Sequence, residues 1–436
     1  MTAHKTSKYN IIVNNSDKHI YFNTFTGAKV GLNKNEHETV QNELRNLDEF
    51  EKKFPNIFHK FYKSGFIIDA KRNEQEEVMF NKRESVFLDR EYWLFLHPTL
   101  DCNFNCWYCY EEHPKGMVDE KTYEKIINHI NYMSNKISGL HLSWFGGEPL
   151  MYFNEIVRPI SKYGQQLMKS KGLTFRNTIT TNGYYINKSM IKDLKEIEMS
   201  SFQITLDGNK EKHDKVRRHQ GKPTFDKICG NIIDLCTENP EVNIILRINY
   251  DDKTLNHNPE FLTIFPIEIR KNIRIDFQRV WQTIKPDCSA PSESNTELLH
   301  WLEYAAKEGF SVAFSKLQPH RHYGCYVDKY YHLEIDHEGK VYKCTAKGYT
   351  DDYVVGTLKD DGSVQLKAGI QAKRFCKLTV ENTICPDCIY LPMCGGSCSQ
   401  NIIERGGQES CVLKYTEIPM ETSIIKDYEY SRIKKS

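Results

Sequence analysis

Residues 101–109 read Asp101-Cys102-Asn103-Phe104-Asn105-Cys106-Trp107-Tyr108-Cys109, a CxxxCxxC that directly follows the short apolar run WLFLHP at 93–98. Three thiolates on one loop can hold three irons of a 4Fe-4S cluster and leave the fourth iron free to bind a substrate or cofactor. A zinc knuckle is the competing reading, but zinc motifs show paired CxxC units and four ligands. Cys102, Cys106 and Cys109 are therefore read as catalytic and metal-ligating at once.

Working outward from this loop, short apolar strands alternate with amphipathic stretches. The strand candidates are 93–98, 140–145, 175–181, 202–206, 242–250 and 273–280, and EKTYEKIINHINYMSN, NEIVRPISKYGQQLMKS, INKSMIKDLKEIE and FDKICGNIIDLC lie between them. Six strand-then-helix units predict an α/β fold with a parallel sheet curled into a partial (β/α)6 TIM-like barrel, whose chemistry sits at the C-terminal ends of the strands. Before the barrel, residues 1–88 predict a hairpin, two helices and a closing strand near Phe66 to Ile68, a small winged-helix-like module, with the charged stretch 69–90 as a linker or exposed helix. The barrel is assigned to 89–309. From 310 to 420 cysteines and glycines become dense, the composition of a small domain held by metal or clusters, and 421–436 reads as a charged tail.

The chain has 436 residues, 59 Lys plus Arg against 58 Asp plus Glu, and 39% hydrophobic residues, which argues against a nucleic-acid-coating protein and a disordered chain. No apolar run reaches the roughly 18 residues of a membrane span, and MTAHKTSKYN lacks the apolar core of a secretory signal, so no membrane association and a cytoplasmic location are expected. Fourteen tightly clustered cysteines then point to metal or cluster ligation.

The CxxxCxxC with Tyr108 before its third cysteine, at the mouth of a partial barrel, resembles the radical S-adenosylmethionine (SAM) superfamily. Trp144-Phe145-Gly146-Gly147-Glu148-Pro149 ends the second strand and is similar to that family's GGEP element, whose backbone and carboxylate take the SAM amino group. Physically, glycines permit close backbone approach and Glu148 offers an acceptor to an ammonium. Thr181-Asn182-Gly183 ends the third strand, Asp207-Gly208 the fourth, and His213-Asp214-Lys215-Val216-Arg217 follows. By resemblance Arg217 faces the SAM carboxylate, and Arg247-Ile248-Asn249-Tyr250-Asp251 lies near the ribose. For each polar position alone, a solvated loop or a strand-end cap is the competing reading. The resemblance thus implies SAM contacts at Tyr108, Gly146, Gly147, Glu148, Pro149, Asn182, Asp207, Arg217, Arg247 and Asn249.

A second set, Cys325, Cys344, Cys385, Cys388, Cys394, Cys398 and Cys411, has spacings that resemble the SPASM domain of radical SAM peptide-modifying enzymes, which binds auxiliary clusters. The resemblance implies that Cys325, Cys344 and Cys398 hold a first auxiliary cluster and that Cys385, Cys388, Cys394 and Cys411 hold a second, giving three 4Fe-4S clusters with the SAM-binding one. The relatives' further upstream cysteine is missing, for the chain reads LQPHRHYG there. Either Cys288, His320 or His322 supplies the fourth ligand, or that iron is open to a substrate thiolate. Cys229, Cys236 and Cys376 read as buried apolar residues.

What the resemblance implies is an enzyme that reductively cleaves SAM and uses the 5′-deoxyadenosyl radical to abstract a hydrogen, with the cofactor doing the difficult chemistry. Its substrate is a ribosomally made precursor peptide with a leader, for which residues 9–68 read either as an element that pairs it onto a sheet edge or as a simple N-terminal decoration; the product is a thioether or carbon-carbon cross-link, and the electron comes from a partner such as flavodoxin or ferredoxin. A formylglycine-forming sulfatase maturase is a second reading, weakened because Cys344 is followed by Thr345-Ala346-Lys347 and not by an acidic base. A non-catalytic iron-sulfur protein serving electron transfer or peptide binding is the third.

Overall fold

The computed structural model describes residues 3–251, 254–255, 258–280, 295–315, 317, 325–407 and 411–433. Cys288, His320 and His322 lie outside the described residues. Six strands, Glu91–Leu96, Gly139–Trp144, Thr174–Thr181, Met199–Leu206, Asn243–Tyr250 and Ile273–Arg279, pair in parallel in chain order. The expected alternation is therefore present, within a few residues of each expected bound.

Parallel sheets covered on both faces read as continuous apolar runs, but these strands alternate. Leu94, Leu142, Ile179, Phe202, Leu246 and Ile275 are buried on one face, in the main core with the helices Glu120–Ser134, Arg158–Ser170, Lys188–Glu196 and Phe225–Glu238. On the other face Thr178, Gln203, Arg247, Asn249 and Asp276 are only half-buried. Trp93, Phe95 and Ile245 also stand on this face, but most of its positions from the second strand on are polar. Cys229 and Cys236 sit in the apolar core, as expected, whereas Cys376 ends the helix Ile370–Phe375 and is exposed.

The sheet does not end with the barrel. His332–Ile335 pairs in parallel with Glu91–Leu96, and Lys340–Tyr342, Gly356–Leu358 and Val364–Leu366 follow as antiparallel hairpins, giving one ten-stranded sheet. This seats the C-terminal cysteines against the start of the barrel.

At the N-terminus, Asn10–Asn15, Lys18–Asn23 and Lys29–Leu32 form an antiparallel sheet and His4–Thr6 pairs with Ile67–Asp69. Three helices stand where two were expected. Asn33 opens Lys34–Glu43 with a capping box to Glu36, Asn46 caps Leu47–Lys53, and Pro55 then starts Pro55–Lys63 at a position that needs no N–H. The stretch expected as a linker or exposed helix is the helix Glu74–Phe87, and its Val78 and Val86 pack with Tyr9, Leu378, Val380 and Leu391. It braces the N-terminal unit against the cysteine-rich one, with a buried ion pair from Lys82 Nζ to Asp328 Oδ2 (2.8 Å). The segment expected as a charged tail is the helix Met420–Ile433, which accepts a bond from Asn15 Nδ2 on Glu429 (2.7 Å) and donates Tyr430 Oη to Phe310 O (2.9 Å).

Candidate functional site

The cysteine loop leaves the first barrel strand at Leu96 and folds back over the ends of the next two. Asp101 O accepts from Glu148 N (2.9 Å), and Glu111 Oε2 accepts from Gly147 N (2.7 Å). The two glycines make this approach possible. Gly147 has φ +47° and a Cβ there would lie 2.1 Å from Asp101 O; Gly146 has φ +79° and its Cβ would meet His97 Cβ at 2.9 Å. The glycines thus serve the seating of the second strand's turn on the cysteine loop.

Glu148 is fully buried and already holds three donors. Its Oε1 accepts from Leu150 N (3.0 Å) and Thr181 Oγ1 (2.7 Å), and Oε2 accepts from Asn182 N (2.8 Å). Burial raises its pKa to about 7 against the lowering effect of these bonds. Pro149 begins the turn that Glu148 caps. Asn182 Nδ2 donates to Asn103 Oδ1 (2.7 Å), so the third strand's end grips the cysteine loop between Cys102 and Cys106.

Four of the sequence-derived positions meet at one hydroxyl. Tyr108 Oη donates to Asp207 Oδ2 (2.6 Å) and accepts from Arg217 Nη2 (2.7 Å) and Asn249 Nδ2 (3.1 Å). Arg217 Nε lies 3.2 Å from Asp207 Oδ1. Asp207 and Asn249 come from strands four and five, Arg217 from the end of the helix Lys210–Val216, and Tyr108 from the cysteine loop. Arg247 stands apart from this hub, its Nε 3.5 Å from Asp276 Oδ2 on the neighbouring strand.

The ten cysteines occupy three separate neighbourhoods. Cys106 lies within electrostatic range of Cys109, and Cys102 of Cys106. Cys344 lies within range of Cys325 and Cys398, and Cys394 within range of Cys385, Cys388 and Cys411. Burial pushes the Cys344 and Cys394 thiols up to about 12, so ligation there must displace their protons. Among the described residues no group of three or more His, Cys, Asp or Glu converges on a single metal ion. A 4Fe-4S cluster would take its thiolates on separate irons, which is a different demand from convergence on one ion.

Sequence reasoning passed over several residues that build this site. Glu111 anchors the glycine turn, and Tyr110 Oη donates to Thr345 O while Tyr326 Oη pairs with Thr345 Oγ1, which ties the residue after Cys109 to the residue after Cys344. Glu334 is fully buried on His332–Ile335, 3.6 Å from His332 Nε2, and burial raises its pKa well above the ordinary carboxylate range against a bond from the Thr345 backbone. A lone acid inside the strand HLEI was the signal for it.

Residues 96–262, which hold the thiol loop and most of the parallel strands, match the family model described as Radical SAM superfamily. The chain carries a radical SAM domain, which implies SAM and a 4Fe-4S cluster. It is 32% identical over 162 residues to the serine-type anaerobic sulfatase-maturating enzyme of Bacteroides thetaiotaomicron, covering 34% of this chain and 37% of that protein. It is 24% identical over 337 residues to the cysteine-type anaerobic sulfatase-maturating enzyme of Clostridium novyi, covering 69% of this chain and 86% of that one. The match thus spans little more than a third of the first relative's length and most of the second's. In fold the chain is similar to Streptococcus suis SuiB bound to S-adenosylmethionine, with a TM-score of 0.52, 16% identity and coverage of 96% of this chain and 99% of that one. No helix among the described residues is long and apolar enough to cross a membrane.

Proposed function

We propose that this chain is a peptide maturase that holds a SAM-binding 4Fe-4S cluster on Cys102, Cys106 and Cys109, one auxiliary cluster on Cys325, Cys344 and Cys398, and another on Cys385, Cys388, Cys394 and Cys411. When bound, cluster and SAM together supply reductive cleavage and a hydrogen-abstracting radical. The observation that carries the reading is the Tyr108 hub, a buried Asp207-Arg217 pair and Asn249 fixed on the residue between two cluster thiols.

The chain's own residues have separate tasks. Gly146 and Gly147 seat the turn on the cysteine loop, and Glu148 and Asn182 fix the strand ends around it. Arg217 presents a guanidinium suited to a carboxylate, and Arg247 and Asn249 line the inner face where a ribose would lie. The N-terminal unit pairs a precursor's leader, and residues 310–420 act as the auxiliary-cluster domain; the product is a thioether or carbon-carbon cross-link, and an external carrier supplies the electron.

The decisive experiment is anaerobic reconstitution with iron and sulfide, followed by iron counting and a 5′-deoxyadenosine assay with dithionite and SAM. About twelve irons per chain with SAM cleavage supports the reading; zinc without cleavage returns the protein to a binding role. Formylglycine formation is the second reading, favoured by the two sulfatase-maturating relatives. Glu334 lies near Cys344, but burial raises its pKa well above the ordinary carboxylate range, which favours the neutral acid over the base that the residues after Cys344 lack. Mass spectrometry of a sulfatase-derived peptide after turnover separates the two.

A further inference from the structure

The loop Cys385-Pro386-Asp387-Cys388 is held by the N-terminal unit, more than 350 residues away in the chain. Lys8 Nζ donates to Pro386 O (3.2 Å) and Thr24 Oγ1 donates to Ile389 O, so the two bonds bracket Cys388. Tyr9 stands between these donors: it follows Lys8 in the chain, and its own O accepts from Thr24 N (3.0 Å). Its side chain is fully buried, in one apolar cluster with Cys385, Leu391 and, at the edge, Cys388, and its ring stacks on Phe25 at 6.0 Å.

The hydroxyl is the polar end of this wedge, and among the described residues the buried Tyr9 Oη has no hydrogen-bond partner. A buried donor without an acceptor is costly, so a native site supplies one. Glu74, Cys388 and Asp387 lie within electrostatic range of it. Glu74 already holds Ser7 Oγ (2.7 Å) and Lys8 N (3.0 Å), and Asp387 is exposed whereas Tyr9 Oη is not. The Cys388 sulfur remains as the acceptor. Burial, with these charges, raises the Tyr9 pKa, so the proton stays on the oxygen for donation. The other thiol of the loop has such a donor in place, for Cys385 Sγ accepts from Asn382 Nδ2 (2.9 Å).

We propose that Tyr9 Oη donates a hydrogen bond to the Cys388 sulfur when Cys385, Cys388, Cys394 and Cys411 hold their 4Fe-4S cluster, so that the N-terminal unit sets part of that cluster's reduction potential. The inference rests on the reading that such a cluster forms there. Tyr9 gains and loses no electron, and no covalent bond is made or broken. The reduced cluster carries one more negative charge than the oxidised one, so an O–H···S bond is stronger to the reduced state and raises the potential.

The test is a redox titration of the reconstituted full chain without SAM, followed by electron paramagnetic resonance, in which the component that Cys394→Ala removes belongs to this cluster. Tyr9→Phe keeps the ring and removes the donor. Tyr21→Phe is the control, because it removes a hydroxyl of the same unit that is bonded to His37 Nδ1 (3.0 Å) and Gln41 Nε2 (2.7 Å). The expected result for Tyr9→Phe is an unchanged iron content and a reduction equilibrium about tenfold less favourable, a midpoint about 59 mV lower. A proton coupling on the reduced cluster that exchanges in D2O is expected in wild type and absent from Tyr9→Phe. Tyr21→Phe keeps the wild-type midpoint and coupling. An unchanged midpoint or a loss of iron in Tyr9→Phe, or an equal shift in Tyr21→Phe, overturns the proposal. Wild-type protein with no component that Cys394→Ala removes refutes the reading of a cluster at these cysteines instead, so the two failures are distinguishable.

Discussion

Replacing Gly147 by alanine tests whether the turn after the second strand is built onto the cysteine loop. The added Cβ would lie 2.1 Å from Asp101 O and 2.7 Å from Leu100 O, both backbone atoms that cannot rotate away. The two segments would have to part by roughly 1 Å to reach ordinary contact. That separation strains Glu148 N to Asp101 O (2.9 Å) and Gly147 N to Glu111 Oε2 (2.7 Å). Leaving such buried groups unpaired costs about 1–3 kcal/mol each, and φ +47° adds about 1 kcal/mol for a residue with a Cβ. Gly172 isolates the second part of the sum, because it has φ +66° and nothing within 4 Å of its Cβ. Gly172→Ala should therefore cost about 1 kcal/mol and leave the site intact. Gly147→Ala should cost about 3–7 kcal/mol by denaturant unfolding and lose SAM binding by calorimetry. Equal destabilisation in the two variants, with SAM bound by both, would refute the seating argument.

Further expectations address other parts of the molecule. Tyr108→Phe removes the hydroxyl shared by Asp207, Arg217 and Asn249; SAM affinity should fall at least about tenfold, and an unchanged Kd would exclude the hub from binding. Glu148 has a folded pKa raised to about 7, so its neutral form stabilises the SAM-free fold below the ordinary carboxylate range, and that contribution is lost as pH rises through about 7. The stability gap between wild type and Glu148→Gln, read from urea midpoints, should therefore move against wild type between pH 5 and pH 8, and a constant gap contradicts the raised pKa. Lys82→Met leaves Asp328 buried without its 2.8 Å partner and should cost about 3 kcal/mol in chemical unfolding. Cys394→Ser should lower the iron content by about four per chain while Cys229→Ser, in the apolar core, leaves it unchanged.

The six-strand alternation was legible because each strand is a short apolar run and the helices between them carry apolar residues at helical spacing, both local patterns. The strand His332–Ile335 was not legible as a neighbour of Glu91–Leu96, because pairing across more than 200 residues leaves no trace in either segment. The stretch 69–90 misled for a related reason. Its charges outnumber its apolar residues, and only contact with Tyr9 and Leu391 shows that Val78 and Val86 have a surface to cover. The terminal helix Met420–Ile433 reads as a charged tail until Asn15 and Phe310 are placed beside it.

The cysteine spacings by themselves pointed to cluster ligation, since thiolates are few, strong ligands and a CxxxCxxC brings three of them onto one loop wherever that loop lies. The glycines, Glu148 and the strand-end polar residues were equally visible as candidates. Their tasks were decided by the tertiary structure alone: Gly147 faces Asp101 O, Glu148 is spent on three internal donors, and Arg217 meets Asp207 and Asn249 through Tyr108. The physical reason is range. Ligand type and periodicity are properties of neighbouring residues, whereas burial, close approach and hydrogen-bond partnership arise only when segments far apart in the chain are packed together.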